Sequence, residues 1–191
     1  SLITASVPIW MALLAMAFYG ERLRLAGWLG SLASLAGVAL IAVGAGGGLR
    51  IEVRALAILA AAVVSAAYSV GQKPFLKRYS AIECTTYAIW GATLSLLPLG
   101  GGLLAELRTA PVAATGAIIY LGVVPGALAY VTWAYTLARV PAATAGSYLY
   151  LVPACAMASG WLLLGEVPAL VSLAGGALVL IGVIVVNRWG H

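Results

Sequence analysis

The chain has 191 residues, of which 64% are hydrophobic and only 8% are charged, and its formal net charge is +5. A water-soluble domain of this length needs far more polar surface, so the composition excludes a soluble globular protein and predicts an integral membrane protein. The basic residues are scattered between apolar segments and form no continuous stripe, which argues against nucleic-acid binding.

The apolar residues group into seven segments, each close to the roughly 20 residues that span a bilayer. The segments cover residues 2–19, 25–47, 55–76, 84–104, 112–137, 142–164 and 169–186. The sequence therefore predicts an all-α membrane protein with seven transmembrane helices. Because the first segment starts abruptly and no initiator Met precedes it, we interpret the chain as the C-terminal part of a longer protein.

Two stretches of the chain repeat at a constant offset of 145 residues. Pro8 and Glu21 enclose an apolar run, and Pro153 and Glu166 enclose another of the same length. The shared register continues into the next segment, where the paired positions are Leu25 and Leu170, Gly30 and Gly175, Leu35 and Leu180, Gly37 and Gly182, and Val38 and Val183. Agreement across two consecutive helices predicts an internal duplication.

The duplication is expected to be inverted in the membrane. The two copies begin with the first and the sixth segment, which lie an odd number of helices apart and so cross the bilayer in opposite directions. Such inverted repeats are common in secondary transporters. The glycine-rich and charged stretch at residues 46–54 is the predicted linker, so that residues 1–45 end one repeat and residues 55–191 form the next.

Basic residues are distributed unequally between the two sides of the membrane that this topology defines. One side carries seven of them, namely Arg22, Arg24, Lys73, Lys77, Arg78, Arg139 and Arg188, and the other carries Arg50, Arg54 and Arg108. The positive-inside rule assigns the first side to the cytoplasm. We therefore expect a multi-pass protein of the inner (plasma) membrane with a cytoplasmic C-terminus.

Polar and aromatic residues within the segments are the candidates for substrate binding. Ser65, Tyr68, Ser69 and Gln72 fall on one helical face, where they either line a cavity or hold helices together. The aromatic candidates Trp133, Tyr148 and Tyr150 either stack on a substrate or belong to interfacial belts.

Each of the remaining candidate residues within or beside the segments has two possible roles. Pro8, Pro125 and Pro153 are hinges or tolerated kinks. Glu21 and Glu166 sit in short turns, where a carboxylate caps a helix or carries a proton. Lys73 either snorkels to the membrane surface or binds a substrate carboxylate.

An intramembrane enzyme is disfavoured by the residues available. The chain has no Asp, its single His is the terminal His191, and none of its Glu residues falls in the middle of a segment. Cys84 and Cys155 give no zinc-site spacing and no disulfide framework. We expect no catalytic residues, no metal site and no cofactor.

Two stretches resemble the EamA family of the drug/metabolite transporter superfamily. Residues 8–30 (PIWMALLAMAFYGERLRLAGWLG), continued to residue 44, resemble the end of one EamA repeat. Residues 55–187 resemble a complete second repeat, with LGVVPGALAYVTWAYTLARV at residues 121–140. The resemblance implies ten helices in the full-length protein and a central cavity lined by the segments at 2–19, 55–76, 112–137 and 142–164.

The resemblance and the polar faces together predict a transporter, either an exporter or a facilitator. It is expected to carry small polar metabolites such as amino acids across the lipid bilayer by alternating access. The predicted substrate contacts are Tyr68, Ser69 and Gln72, with Ser65 and Trp133 nearby and Tyr148 and Tyr150 as an opposing aromatic wall. A multidrug efflux carrier and a non-transporting membrane scaffold remain as alternatives, and we also consider a homodimer.

Overall fold

The computed structural model describes residues 4–44 and 54–190, and within these ranges the chain is helical and contains no strand. The α-helices are α1 (Val7–Tyr19), α2 (Leu25–Gly44), α3 (Arg54–Gly71), α4 (Ala81–Leu96), α5 (Leu103–Thr109), α6 (Val112–Val123), α7 (Ala129–Leu137), α8 (Ala142–Ser147), α9 (Leu151–Leu164) and α10 (Leu170–Trp189). Short 3₁₀ turns at Thr4–Ser6, Phe75–Lys77, Leu97–Leu99 and Tyr148–Tyr150 and a π-helical turn at Val124–Leu128 adjoin them.

Five stretches of the described chain are long and apolar enough to cross a membrane, which confirms a multi-pass membrane protein. They are Leu25–Gly44, Leu56–Lys77, Val112–Leu137, Ala142–Leu164 and Leu170–Trp189. Two of them have the bounds that the sequence predicts. The predicted count of seven is not reached among the described residues, because α1 has 13 residues and α4 has 16.

The fourth predicted segment ends earlier than its hydropathy suggested. The helix α4 stops at Leu96, and a 3₁₀ turn containing Pro98 follows it. Proline lacks the N–H that a continuing helix needs, and Gly102 then adopts a positive φ of 109°. Apolar residues continue through this break, so composition alone could not locate it.

The chain divides into two compact units. The first contains the residues up to Gly71 together with those from Val140 onward, and the second is Gln72–Arg139. This division follows packing, whereas the predicted repeats follow sequence register. Most of the predicted linker, residues 46–53, lies outside the described residues, so the repeat boundaries stay a prediction.

In the first unit, α2 and α10 pack closely and antiparallel along their glycines. A Cβ atom built on Gly37 would lie 2.6 Å from the carbonyl oxygen of Gly175, and one built on Gly30 would lie 2.7 Å from that of Gly182. Only glycine permits such an approach of the two backbones. An apolar cluster formed by Val38, Ile41, Tyr150, Val179 and Val183 adjoins this contact.

The helix α1 packs against both α3 and α8 in the same unit. Its Met11 and Ala15 side chains are fully buried. A Cβ atom on Gly146 of α8 would lie 3.3 Å from both the Met11 sulfur and the Pro8 Cα, so α8 and α1 pack closely where they cross.

The second unit is built on α4 and on the continuous span formed by α6, the π-helical turn and α7. The helices α4 and α7 pack against each other. A capping box starts α4: the Ser80 N–H donates to the Glu83 carboxylate at 2.7 Å, and the Glu83 N–H donates to the Ser80 hydroxyl at 3.3 Å. The start of this helix is therefore fixed by its own sequence, Ser-x-x-Glu.

Candidate functional site

The predicted polar face of α3 is split between exposed and buried positions. Ser69 is buried on the same helical face as Ala62 and Ala66, whereas Ser65 and Tyr68 are exposed. The packing of α3 on α1 accounts for the buried face. Ser69 is therefore placed to act between helices, and Tyr68 and Ser65 point away from that contact.

Gln72 follows the last residue of α3 and begins the second unit. Its side chain is 9% exposed, and its Nε2 atom has no hydrogen-bond partner among the described residues. A buried amide donor without a partner costs about 1–3 kcal/mol. Native proteins keep few such groups unless a water or a ligand pairs with them, so Gln72 is a candidate binding residue.

The structure places Tyr150 in the apolar cluster of α2 and α10. Its ring is 1% exposed and packs with Val38, Ile41, Val179 and Val183. Its hydroxyl, like the Gln72 amide, has no partner among the described residues. The ring therefore fills the helix-packing core, and the unpaired hydroxyl is the part of Tyr150 available for a polar contact.

Tyr148 is tied to the end of α10. Its hydroxyl donates a hydrogen bond of 2.7 Å to the Asn187 side-chain oxygen, and the Asn187 amide donates to the Val183 carbonyl at 3.0 Å. Tyr148 remains 40% exposed. The two tyrosines thus contact the α2–α10 side of the first unit, whereas the polar face of α3 adjoins α1.

The backbone leaves regular α-helix beside each of the three predicted hinge prolines. Pro125 lies in the π-helical turn Val124–Leu128, Pro153 follows the 3₁₀ turn Tyr148–Tyr150, and Pro8 follows the 3₁₀ turn Thr4–Ser6. Proline removes a backbone hydrogen bond and crowds the preceding turn, which explains these local changes. Whether they act as hinges stays a prediction.

The Gly-Glu turns of the two repeats have the same geometry. Gly20 and Gly165 adopt φ values of 65° and 70°. The Gly20 N–H donates to the Met16 carbonyl at 3.2 Å and the Glu21 N–H to the Ala15 carbonyl at 3.3 Å. The corresponding bonds at Gly165 and Glu166 have the same lengths, 3.2 and 3.3 Å, so both turns end their helices in one left-handed cap.

The Glu21 carboxylate caps a helix, as one of its two readings predicts, although the helix is far away in sequence. Its Oε2 atom accepts a 2.8 Å hydrogen bond from the N–H of Ala142, the first residue of α8. The reading from sequence placed the carboxylate at the start of the next helix, α2. A carboxylate at a helix N-terminus satisfies an amide that has no partner within the helix.

At the end of the first unit that contains the Glu21 turn, the start of α2 lies next to the end of α10. The Arg24 N–H donates a 2.9 Å hydrogen bond to the Gly190 carbonyl. The Glu21–Ala142 bond brings the start of α8 to the Glu21 turn that precedes α2. These hydrogen bonds link the α1–α2 connection, the start of α8 and the C-terminal end of α10. The sequence assigns all three to the same side of the membrane.

Among the residues that the structure describes, no group of three or more His, Cys or Glu side chains could hold a metal ion. The candidate residues predicted from the sequence carry hydroxyls, amides and aromatic rings. Such groups can bind a polar solute through hydrogen bonds and stacking.

Comparison with known proteins identifies the group to which this arrangement belongs. A model described as the EamA-like transporter family matches residues 54–188. The chain belongs to this family. The resemblance seen in the sequence is therefore confirmed, and the family is one of transporters.

Three EamA-type relatives illustrate the similarity. The chain is 44% identical over 188 residues to a probable terminal-alkyne amino-acid exporter of Streptantibioticus cattleyicolor, covering 98% of this chain and 63% of that protein. It is 40% identical over 183 residues to the uncharacterized transporter YdfC of Bacillus subtilis, covering 96% and 60%. An uncharacterized transporter of Archaeoglobus fulgidus is 27% identical over 197 residues, covering 98% and 67%.

A solved crystal structure shares the fold. It superposes with a TM-score of 0.77 at 25% identity and covers 97% of this chain and 64% of that chain. The chain thus spans 60–63% of the length of its first two relatives.

Two contacts near the site were missed by the sequence reasoning. The partner of Tyr148 is Asn187, a residue treated only as the end of a segment, and the partner of Glu21 lies 121 residues away. An amide within a span is a signal that could have pointed to Asn187. No local signal points to the Glu21 partner, because it depends on which helices pack together.

Proposed function

We propose that this EamA-family chain is the substrate-translocating part of a carrier for small polar metabolites, with amino acids as the first class to test. The observation that carries the proposal is the buried Gln72 amide, whose Nε2 atom has no partner among the described residues. A carrier for polar solutes needs such groups, because the solute leaves water and must regain hydrogen bonds inside the protein.

A second observation supports an amino-acid substrate. One relative, 44% identical over nearly the whole chain, is named as a probable exporter of a terminal-alkyne amino acid. An amino acid presents an ammonium group, a carboxylate and a side chain. The Gln72 amide can donate a hydrogen bond to the carboxylate. Tyr68, Ser69 and Trp133 stay candidate contacts that the sequence predicts.

We further propose that transport proceeds by alternating access. The supporting observation is the antiparallel α2–α10 pair, in which equivalent glycines of the two repeats make equivalent contacts. Inverted repeats allow two halves to exchange conformations around a site between them. The irregular turns at Pro125 and Pro153 are the proposed points of bending. We place the protein in the plasma (inner) membrane with its C-terminus in the cytoplasm.

The test is a counterflow assay with the full-length protein in proteoliposomes. Vesicles loaded with an unlabelled amino acid should accumulate the same labelled amino acid transiently, and protein-free vesicles should not. Each amino-acid class is then offered separately, followed by a hydrophobic cationic drug. Exchange of the drug alone would favour a multidrug carrier, and no exchange of any solute by folded protein would favour a scaffold.

A further inference from the structure

We propose that the second unit binds an anionic phospholipid at a cavity between the start of α4 and the end of α7. The cavity has a volume of about 590 Å³. This volume lies within the range of ligand pockets, ~300–1,000 Å³. The proposal is independent of which solute the protein transports.

The cavity is positioned at the edge of the membrane. Its residues Leu76 and Arg139 lie at the ends of the spans Leu56–Lys77 and Val112–Leu137. Val131, another lining residue, lies eight positions before Arg139 on the same helical stretch, which corresponds to roughly 12 Å at 1.5 Å per residue. The cavity therefore runs from the surface of the membrane into its apolar interior.

The two ends of the cavity differ in chemistry. Leu76, Ile82 and Val131 supply apolar wall, and Arg139 supplies a positive charge where the spans end. The Arg139 guanidinium lies 3.2 Å above the centre of the Tyr135 ring, and its Nη1 donates to the Tyr135 carbonyl at 3.2 Å. Stacking on the ring holds the guanidinium at the cavity mouth.

The charge around the mouth favours an anion. Lys77 and Arg78 belong to the connection that also supplies Leu76 and Tyr79 to the cavity. The nearby Glu83 carboxylate is already held by the Ser80 N–H at 2.7 Å. Arg139 forms no ion pair with a carboxylate in the part of the chain that the structure describes. Guanidinium groups bind phosphate through paired hydrogen bonds, and basic pockets at span ends attract anionic headgroups.

The combination of a basic mouth and an apolar wall favours a lipid over a soluble anion. A free phosphate would use the basic mouth and leave the apolar wall exposed. A phospholipid uses both, because its phosphate meets Arg139 while one acyl chain lies along Ile82 and Val131. The edge-to-face contact of Tyr79 with Tyr87, with ring centres 6.4 Å apart, adds aromatic surface of the kind enriched at headgroup depth.

The test measures lipid bound to the purified full-length protein in neutral detergent by native mass spectrometry. Phosphatidylglycerol and phosphatidylcholine with identical acyl chains are titrated in parallel. In a separate arm, the unfolding temperature is measured with phosphatidylglycerol and with inorganic phosphate. The wild type should bind one phosphatidylglycerol at this site in preference to phosphatidylcholine. Arg139→Gln should weaken that binding about tenfold or more, equivalent to roughly 1.4 kcal/mol.

Two further variants separate this site from general charge effects. Arg108→Gln removes a basic residue at the end of α5, outside the cavity, and should bind phosphatidylglycerol like the wild type. Val131→Trp leaves every charge in place and fills the apolar wall, so it should weaken lipid binding even if Arg139→Gln does not fold. Equal binding of both lipids, unchanged binding in Arg139→Gln or Val131→Trp, or equal stabilisation by inorganic phosphate would overturn the proposal.

Discussion

Ser34 and Val179 occupy the same position in the two sequence repeats, and they touch each other. The Ser34 hydroxyl donates to the Val179 carbonyl oxygen at 3.4 Å, and both residues are buried. In a pair related by two-fold rotation, only residues near the axis meet their own counterparts. The pairing of Gly30 with Gly182 and of Gly37 with Gly175 is symmetric about the same point. The α2–α10 pair is therefore arranged around a local two-fold axis.

This symmetry predicts equal effects of substitution at equivalent glycines. Gly37→Ala and its equivalent Gly182→Ala each place a methyl group against the backbone of the opposite helix, so each should destabilise the protein by about 1–3 kcal/mol. Gly91→Ala on α4 and Gly116→Ala on α6 have nothing within 4 Å of the new Cβ and serve as controls. Unfolding of the full-length protein in detergent measures the difference. Equal stability of the interface variants and controls would contradict the close antiparallel contact.

The Glu21 cap predicts that substitution of Glu21 lowers the stability of the protein and leaves the pH dependence of transport unchanged. Glu21→Ala removes the acceptor of the Ala142 N–H and should cost about 1 kcal/mol, the usual effect of losing a helix cap. Glu21→Gln keeps an oxygen acceptor and should cost less. Glu106→Ala, at an exposed position of α5, is the control. If Glu21→Gln keeps its stability while transport loses its pH dependence, Glu21 is a proton carrier and the cap is secondary.

The capping box of α4 predicts a pH-dependent contribution to stability. The hydrogen bonds from Ser80, first that of its backbone N–H, lower the pKa of the Glu83 carboxyl below its ordinary value of 4.5. Because the folded-state pKa is lowered, the contribution is fully present above the ordinary value and is lost as the pH falls through the folded-state value. The unfolding temperature of the wild type should exceed that of Glu83→Gln at pH 7.

On acidification below the ordinary pKa, the gap between these two proteins should shrink. Glu106→Gln is the matched control, since its carboxylate takes no part in a capping box. A gap that stays constant from neutral to acidic pH would show that the Glu83 charge does not contribute.

The unequal distribution of basic residues predicts the orientation in the membrane. Single cysteines are introduced at Arg24, Arg139 or Arg108 in a background in which Cys84 and Cys155 are replaced by alanine. An impermeant thiol reagent added outside intact cells should label Arg108→Cys and spare the other two, because the side with more Lys and Arg faces the cytoplasm. Labelling of Arg24→Cys and protection of Arg108→Cys would reverse the assigned orientation.

Much of the fold could be predicted because its determinants are local or repeated in the sequence. The bounds of the spans at 112–137 and 142–164 follow from apolar runs between charges and prolines. Glycines at seven-residue spacing in α2 indicate close packing with another helix, but the spacing does not show that this helix is α10. The matching Gly-Glu turns follow from the positive φ that glycine accepts at the end of a helix.

The candidate site could be predicted only in part, because it depends on which helices become neighbours. Helical spacing put Ser65 and Ser69 on one face but could not show that α1 would bury the second and leave the first exposed. From the sequence, Tyr150 is a candidate for binding because an aromatic ring can stack on a substrate. Its ring instead completes the packing of α2 and α10, a contact that periodicity within one helix cannot reveal.

The central claim, a polar substrate site that includes Gln72, is tested most directly by measuring transport and stability on the same full-length variant. Gln72→Ala removes the amide, and its Nε2 atom makes no hydrogen bond in the structure that the substitution would break. Gly71→Ala, at the adjacent position with open space around its Cβ, is the matched control. We predict that Gln72→Ala lowers amino-acid counterflow about tenfold while its unfolding temperature stays close to that of the wild type, because the loss of an unpaired buried amide offsets the loss of side-chain packing. Full counterflow by Gln72→Ala, or a loss of transport only in proportion to lost folded protein, would contradict the account.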